Sequence, residues 1–269
     1  MYQKQILMSD QHPHELLYTV NRRWDCLQAI VKQPQEKRVL VETLSMPRST
    51  LDTVVRELEQ AELVAYRDGI WQPTIAGKAI TEAYADCAAS VASIHDAGTL
   101  LSPLAGDPDI PTAVLDGAES YPAEEPVPDA VLTEFLDCIE AADHIRGVAP
   151  RALSGYTDRV FRIAADNNTT LEMTLDSSVF EQLSMLSPET VIDRLEADLF
   201  SVYRGPVDTE FGFWIGDDPD HIGLIVYADR GVHGIIINDT PDAIEWADDR
   251  YDSIHEVAAP VTPTDVREA

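Results

Sequence analysis

Apolar positions set the first half of the chain. Between His14 and Gln33 the residues Leu16, Leu17, Val20, Trp24, Leu27, Ile30 and Val31 recur at helical spacing and predict one helix. A short amphipathic run with Val39, Leu40, Val41 and Leu44 follows, and Ser45-Met46-Pro47 breaks it. A second run, Arg48 to Ala61, places Leu51, Val54, Val55 and Leu58 on one stripe. Two short helices joined by a tight turn make a helix-turn-helix. Beyond it, Leu63–Arg67 and Ile70–Gln72 flank Asp68-Gly69, a hairpin signal. Thr74 is placed to cap a further helix. Helix, turn, helix, hairpin is the order of a winged helix.

The next helix spans about residues 75–97, with Ile80, Tyr84, Cys87, Val91 and Ile94 spaced 4, 3, 4, 3. That heptad seam predicts a dimer helix, the other reading being that it packs on the chain's own second domain. Residues 98–129 are rich in Pro, Gly, Asp and Ala and read as a linker with a short strand near 119–121. Helix and strand patterns then alternate. Val131–Ala142, Tyr156–Asp166, Val179–Leu186, Pro188–Asp198 and Pro241–Ile254 read as helices, with Ser187 capping the fourth. His144–Pro150, Thr169–Leu175, Phe200–Tyr203, Phe211–Ile215, Gly223–Ala228 and Val232–Ile237 read as strands, the last two joined through Asp229-Arg230-Gly231. The expected architecture is α+β in two domains. Residues 1–74 form a winged helix-turn-helix, 75–97 a dimerisation helix, and 98–129 a linker. Residues 130–255 form an α/β sandwich-like domain with a mixed sheet, and 256–269 a loose tail.

The run SMPRSTLDTVVRELEQAELV, the wing, and TIAGKAI resemble the winged-helix domain of archaeal transcriptional regulators. The resemblance implies that Arg48–Ala61 is a recognition helix, with Arg48, Ser49, Thr53 and Arg56 meeting duplex DNA. Arginines contact phosphate or guanine, and hydroxyls contact base edges or phosphate. Arg67 beside the wing tip, and Arg22 and Arg23 on the first helix, are further candidates for the DNA backbone. Asp52 adds an acid to this face, and Thr53 stands where such regulators often carry Arg. A second reading, an adaptor that uses the winged helix for protein docking without DNA, therefore stays open. AADHIRGVAP, FGFWIGDD, GLIVYADRGVHGIIIND and DAIEWADDRYD resemble the Fil-type domain of a methanogenesis regulator, abundant in haloarchaea. Trp246 reads as core packing of the last helix.

Charge changes the picture. The chain of 269 residues has 48 Asp+Glu against 19 Lys+Arg, a net charge of −29. The acids are interspersed with apolar residues rather than gathered in a tail, and lysine occurs only at positions 4, 32, 37 and 78. Such a balance resembles proteins of extreme halophiles, where molar salt shortens the screening length to about 3 Å. The asymmetry is sharp: residues 1–97 carry a net −3 and residues 98–269 a net −26. A nearly neutral module in an acidic chain is what contact with phosphate requires.

Other chemistry is thin. Cys26, Cys87 and Cys138 lie far apart and read as reduced, buried thiols. His12 and His14 lack thiol or carboxylate partners in a metal-ligand pattern, and no metal or cofactor is expected. The N-terminus lacks a signal-peptide apolar region, and no run of about 18 apolar residues spans a membrane, so a cytoplasmic protein is expected. No GxxxxGK[ST], GxGxxG, HExxH or GxSxG occurs, and no His precedes a Lys by two positions, as in phospholipase-D-like enzymes. Arg146 and Arg151 bracket the end of a strand and are candidates to hold a small anionic effector, or to pair with neighbouring acids. The expected partners are double-stranded DNA, a second copy of the chain, and an effector or protein partner for the second domain.

Overall fold

The computed structural model describes residues 13–268 apart from 107, 125–126, 153–155, 187, 198 and 230. His12, the cap expected at Ser187, and Arg230 of the last hairpin lie outside the described residues. Two compact units divide the chain, residues 1–89 and 90–269.

The first unit contains α1 (residues 13–22), α2 (Trp24–Lys32), α3 (Lys37–Thr43), α4 (Arg48–Gln60), β1 (Val64–Arg67), β2 (Ile70–Pro73) and the start of α5 (Ile75–Leu101). The single helix expected over residues 14–33 is two. Arg23 interrupts it at φ −115, ψ 18, yet the Leu27 amide still donates to Arg23 O at 3.0 Å. The ladder is locally tightened rather than broken. Val20, Leu27, Ile30, Leu40, Leu51, Val54, Val55 and Leu58 are all buried in one core, closed by Leu63, Val64 and Trp71. The stripe on α4 that the periodicity picks out is therefore its packed face.

Both helices of the helix-turn-helix end in a left-handed residue, Ser45 at φ 48 and Glu62 at φ 59. The Met46 amide reaches back to Val41 O at 3.2 Å and the Leu63 amide to Leu58 O at 3.0 Å. These are Schellman closures in which a side chain occupies a conformation that favours glycine. At the hairpin, Arg67 pairs with Ile70, and the two turn residues Asp68 and Gly69 have φ 53 and 87. Two positive φ values match the turn that follows the strand twist. Gln35 exchanges backbone hydrogen bonds with Trp71 as an isolated bridge on the outer side of β2. Thr74 caps α5 as expected, its Oγ1 accepting from the Gly77 amide at 2.8 Å. A Cβ at Gly77 would stand 1.9 Å from Leu63 O, so the first turn of α5 lies directly on the backbone entering β1.

The second unit is built on an eight-stranded sheet. Its strands are β3 (Glu119–Pro122), β4 (His144–Ala149), β5 (Thr170–Asp176), β6 (Phe200–Gly205), β7 (Phe211–Asp217), β8 (His221–Tyr227), β9 (Val232–Asn238) and β10 (Ala259–Pro260). The order is β10-β6-β5-β4-β7-β8-β9-β3. β4, β5 and β6 are parallel, and the other pairings are antiparallel. The expected mixed sheet is present, with α6 (Thr112–Leu115), α7 (Leu132–Ala141), α8 (Thr157–Asn167), α9 (Ser177–Leu186), α10 (Pro188–Leu195), α11 (Pro241–His255) and α12 (Pro263–Glu268) around it. Val148, Phe213, Ile215 and Leu224 pack one side with Tyr251 and Ile254 of α11; Ile145, Trp214 and Ile225 pack the other with Phe135 of α7. β8 is buried at all seven positions, as a strand covered on both faces must be. Trp246 packs against Phe211 and Phe213, with ring centroids 6.4 and 6.2 Å away.

Two expectations are corrected. Residues 98–129 are not a linker: Leu100, Val114 and Ala118 are core residues, and β3 is the sheet's edge strand on β9. Its Pro122 sits at an edge, where a missing amide is tolerated. Nor are residues 256–269 a loose tail. β10 pairs with β6, and Val261 and Val266 are buried with Phe180.

Two stability effects follow. Glu62→Gly relieves the left-handed side chain and is expected to raise stability by about 1 kcal/mol. Gly77→Ala pushes α5 off the Leu63 carbonyl and is expected to cost about 1–3 kcal/mol. Urea titration of the two variants in molar KCl checks both signs.

Candidate functional site

On α4 the face opposite the buried stripe carries Ser49, Thr53, Arg56 and Gln60, all exposed, with Arg48 exposed at the helix start. The Thr53 hydroxyl bonds back to Ser49 O at 3.4 Å. Asp52, Glu57 and Glu59 flank this face; Asp52 and Glu57 are engaged, and Glu59 is exposed. Asp52 pairs with Lys37 of α3. Glu57 accepts from Arg23 Nε at 2.6 Å. That contact holds the Glu57 carboxyl below the usual carboxylate range and raises the Arg23 guanidinium above its own. The acid that weakened the DNA reading is thus neutralised from outside its own helix. Nothing in local spacing announces Lys37, which lies 15 residues from Asp52.

The expected DNA residues part company. Arg48, Ser49, Thr53, Arg56 and Arg67 are exposed on α4 and beside the wing tip, and Arg22 is exposed on α1. Arg23 is not available: its side chain is 13% exposed and ties α1–α2 to α4. The dimer seam parts as well. Tyr84 stacks on Trp24 with centroids 4.8 Å apart and donates to Asn21 Oδ1 at 2.7 Å, and Ile80 packs on the same core. Only Cys87, Val91 and Ile94 remain outside that core, and Val91 is 62% exposed. Cys87 is exposed, not buried as expected; burial pushes the Cys26 thiol up to about 11 and Cys138 up to about 12.

In the second unit, Arg146 and Arg151 do not converge. Arg146 Nη2 donates to Asp248 Oδ1 at 2.7 Å, and the guanidinium lies 5.5 Å from the Tyr251 ring centroid. Its side chain points to the α11 side, because it shares a strand face with Val148. Burial raises the Asp248 carboxyl, and Arg146 opposes the shift. Tyr251 donates to Glu172 at 2.7 Å, and burial with that bond raises its phenol. Arg151 lies apart, exposed, with Nη1 donating to Ala228 O at 3.3 Å and its guanidinium 5.4 Å from the Tyr227 centroid. Beside it opens an apolar cavity of about 140 Å³ that the sequence did not announce, since its lining comes from strands and helices far apart in the chain. No group of three or more His, Cys, Asp or Glu is gathered for a metal, and no helix is long and apolar enough to cross a membrane, among the described residues.

Comparison with known proteins matches residues 128–257 to the methanogenesis regulatory protein FilR1, middle domain, and residues 12–96 to the HVO_A0261 N-terminal domain. No curated protein matches the chain. Among solved structures it is similar to TrmBL2, an archaeal chromatin protein, at 11% identity and TM-score 0.41, over 92% of this chain and 99% of that one. It is also similar to Nuc from Salmonella typhimurium, a phospholipase D family member, at 9% identity and TM-score 0.41, over 54% of this chain and 97% of that one. At these scores the function rests on the chain's own residues.

The Arg23–Glu57 pair makes stability depend on pH. Glu57 has a lowered folded pKa, so its contribution is complete above the ordinary carboxylate range and is lost as pH falls through the folded value. Arg23→Met is expected to cost about 0.5–1 kcal/mol at pH 7, with the deficit shrinking toward pH 3. Equal deficits at both pH values in denaturant titrations would contradict this role.

Proposed function

We propose that the chain, whose residues 12–96 and 128–257 match the HVO_A0261 N-terminal domain and the FilR1 middle domain, is a winged-helix transcriptional regulator that binds specific duplex DNA as a two-fold dimer. α4 lies in the major groove, with Arg48, Ser49, Thr53 and Arg56 toward bases and phosphates. Arg67 contacts the flanking backbone from the wing, and Arg22 lies near phosphate from α1. The second unit serves as an effector or interaction domain without chemistry of its own, in a halophilic archaeal cytoplasm. The observation that carries this reading is the exposed polar face of α4, where two of the three flanking acids, Asp52 and Glu57, are ion-paired.

The face of α5 at Cys87 and Val91 supports the dimer. It is what remains of the seam once Ile80 and Tyr84 are engaged in the first unit, and residues 85–89 are all exposed. Two-fold pairing there sets the distance between DNA half-sites.

Two measurements check the proposal. Genomic fragments selected on the protein at molar KCl are expected to show an enriched palindromic sequence. Arg56→Ala weakens binding by about 1–3 kcal/mol if it reads a base, or lowers the salt slope by about 1 if it contacts phosphate. No enrichment over background gives the adaptor reading instead. Val91→Glu is expected to turn a dimer into a monomer by light scattering, because it sets two carboxylates face to face. A monomeric unmodified protein removes the dimer.

A further inference from the structure

The cavity beside Arg151 has a definite chemical character. It lies on the α7–α8 side of the sheet, and its volume is about 140 Å³. Its deep end is formed by Ile145, Leu171 and Trp214, which are 0%, 3% and 1% exposed. Phe135, Phe161 and Met173 add aromatic and thioether walls. Its outer end is at Arg151 and Ala152, both exposed. A dry apolar cavity of about 150 Å³ holds one benzene-sized molecule, so the interior accepts a single ring or a branched alkyl group of similar bulk.

The rim supplies the other half of the recognition. Arg151 stacks on Tyr227 and uses one N–H on Ala228 O, a contact that fixes the guanidinium at the mouth. The fork carries five N–H donors, which leaves more than one for a ligand. Arg146, Arg204, Arg250 and Arg267 of the same unit are each ion-paired. Among the described residues Arg151, like Arg159, Arg162 and Arg194, makes no such pair, although residues 98–269 carry a net −26. A carboxylate at the mouth would complete the fork in the bidentate geometry that guanidinium favours, and direct contact of that kind persists when molar salt screens the distant acids.

We propose that this cavity binds a small monocarboxylate with a single aromatic or branched aliphatic body, the body against Trp214 and the carboxylate on Arg151. The proposal deepens the effector role given above to the second unit, and it is tested without DNA, so that either can fail alone. It also replaces the expected pair of arginines by one: Arg146 faces the opposite side of the sheet and takes no part.

Phenylacetate and its neutral isostere phenylacetamide serve as probes, added to the full-length protein in molar KCl and followed by thermal shift and titration calorimetry. Phenylacetate is expected to raise the melting temperature and to bind at least tenfold more tightly than the amide. Arg151→Met is expected to remove that preference while the protein keeps its folded circular dichroism spectrum. Ala149→Phe, which fills the cavity near its mouth, is expected to abolish binding of both probes; Val160→Phe does the same from α8 and stands in if the first variant loses its circular dichroism spectrum. Equal binding of acid and amide overturns the carboxylate, and so does an Arg151→Met protein that keeps the preference. Absence of any binding by either probe, or binding that survives in a folded cavity-filled variant, overturns the site.

Discussion

Charge is the constraint on which this molecule turns. A chain of net charge −29 repels phosphate unless one surface is relieved of its acids. The relief is local. On α4 the outward positions hold Ser49, Thr53, Arg56 and Gln60, and two of the three acids that border them, Asp52 and Glu57, are matched by Lys37 from α3 and Arg23 from the α1–α2 bend. The same pairs that silence the acids also join the helices, so packing and electrostatics reinforce each other. One of only four lysines in the chain is placed where it cancels Asp52.

The winged helix was legible because its determinants are local. The α4 stripe, the Asp-Gly turn and the Thr74 cap each act within a few residues, and each appears in the structure as the sequence implies. What escaped was long-range or conditional. Arg23 looks like a solvent-facing cation until Glu57, 34 residues on, is brought beside it. The heptad seam on α5 is real as a pattern, but Trp24 and Asn21 take Tyr84 before a second chain could. Periodicity shows which face is apolar and leaves open what covers it.

In the second unit the strand expected near residues 119–121 is present as β3, and the error was to read the segment around it as a linker. Six prolines between residues 98 and 129 forbid a long helix, yet they do not forbid an edge strand, and β3 closes the sheet on β9. Close packing was equally silent: a Cβ at Gly223 would fall 1.9 Å from the Trp214 ring, so this glycine is where β8 gives way to the indole. The Trp214 N–H then finds His221 at 3.1 Å. The cavity next to that indole is assembled from β4, β5, α7 and α8 together, and no segment alone carries its signature.

The claim that ion-paired acids open the α4 face to DNA is tested most directly by a double-mutant cycle on Lys37 and Asp52, with affinity for the selected duplex read by fluorescence anisotropy in high salt. Lys37→Ala alone should weaken binding about tenfold, because it uncovers Asp52 beside the phosphates. Asp52→Ala alone should leave binding unchanged or tighter, and the double variant should recover most of the loss. A double variant as weak as Lys37→Ala, or a Lys37→Ala protein that binds as tightly as the unmodified chain, would contradict the account.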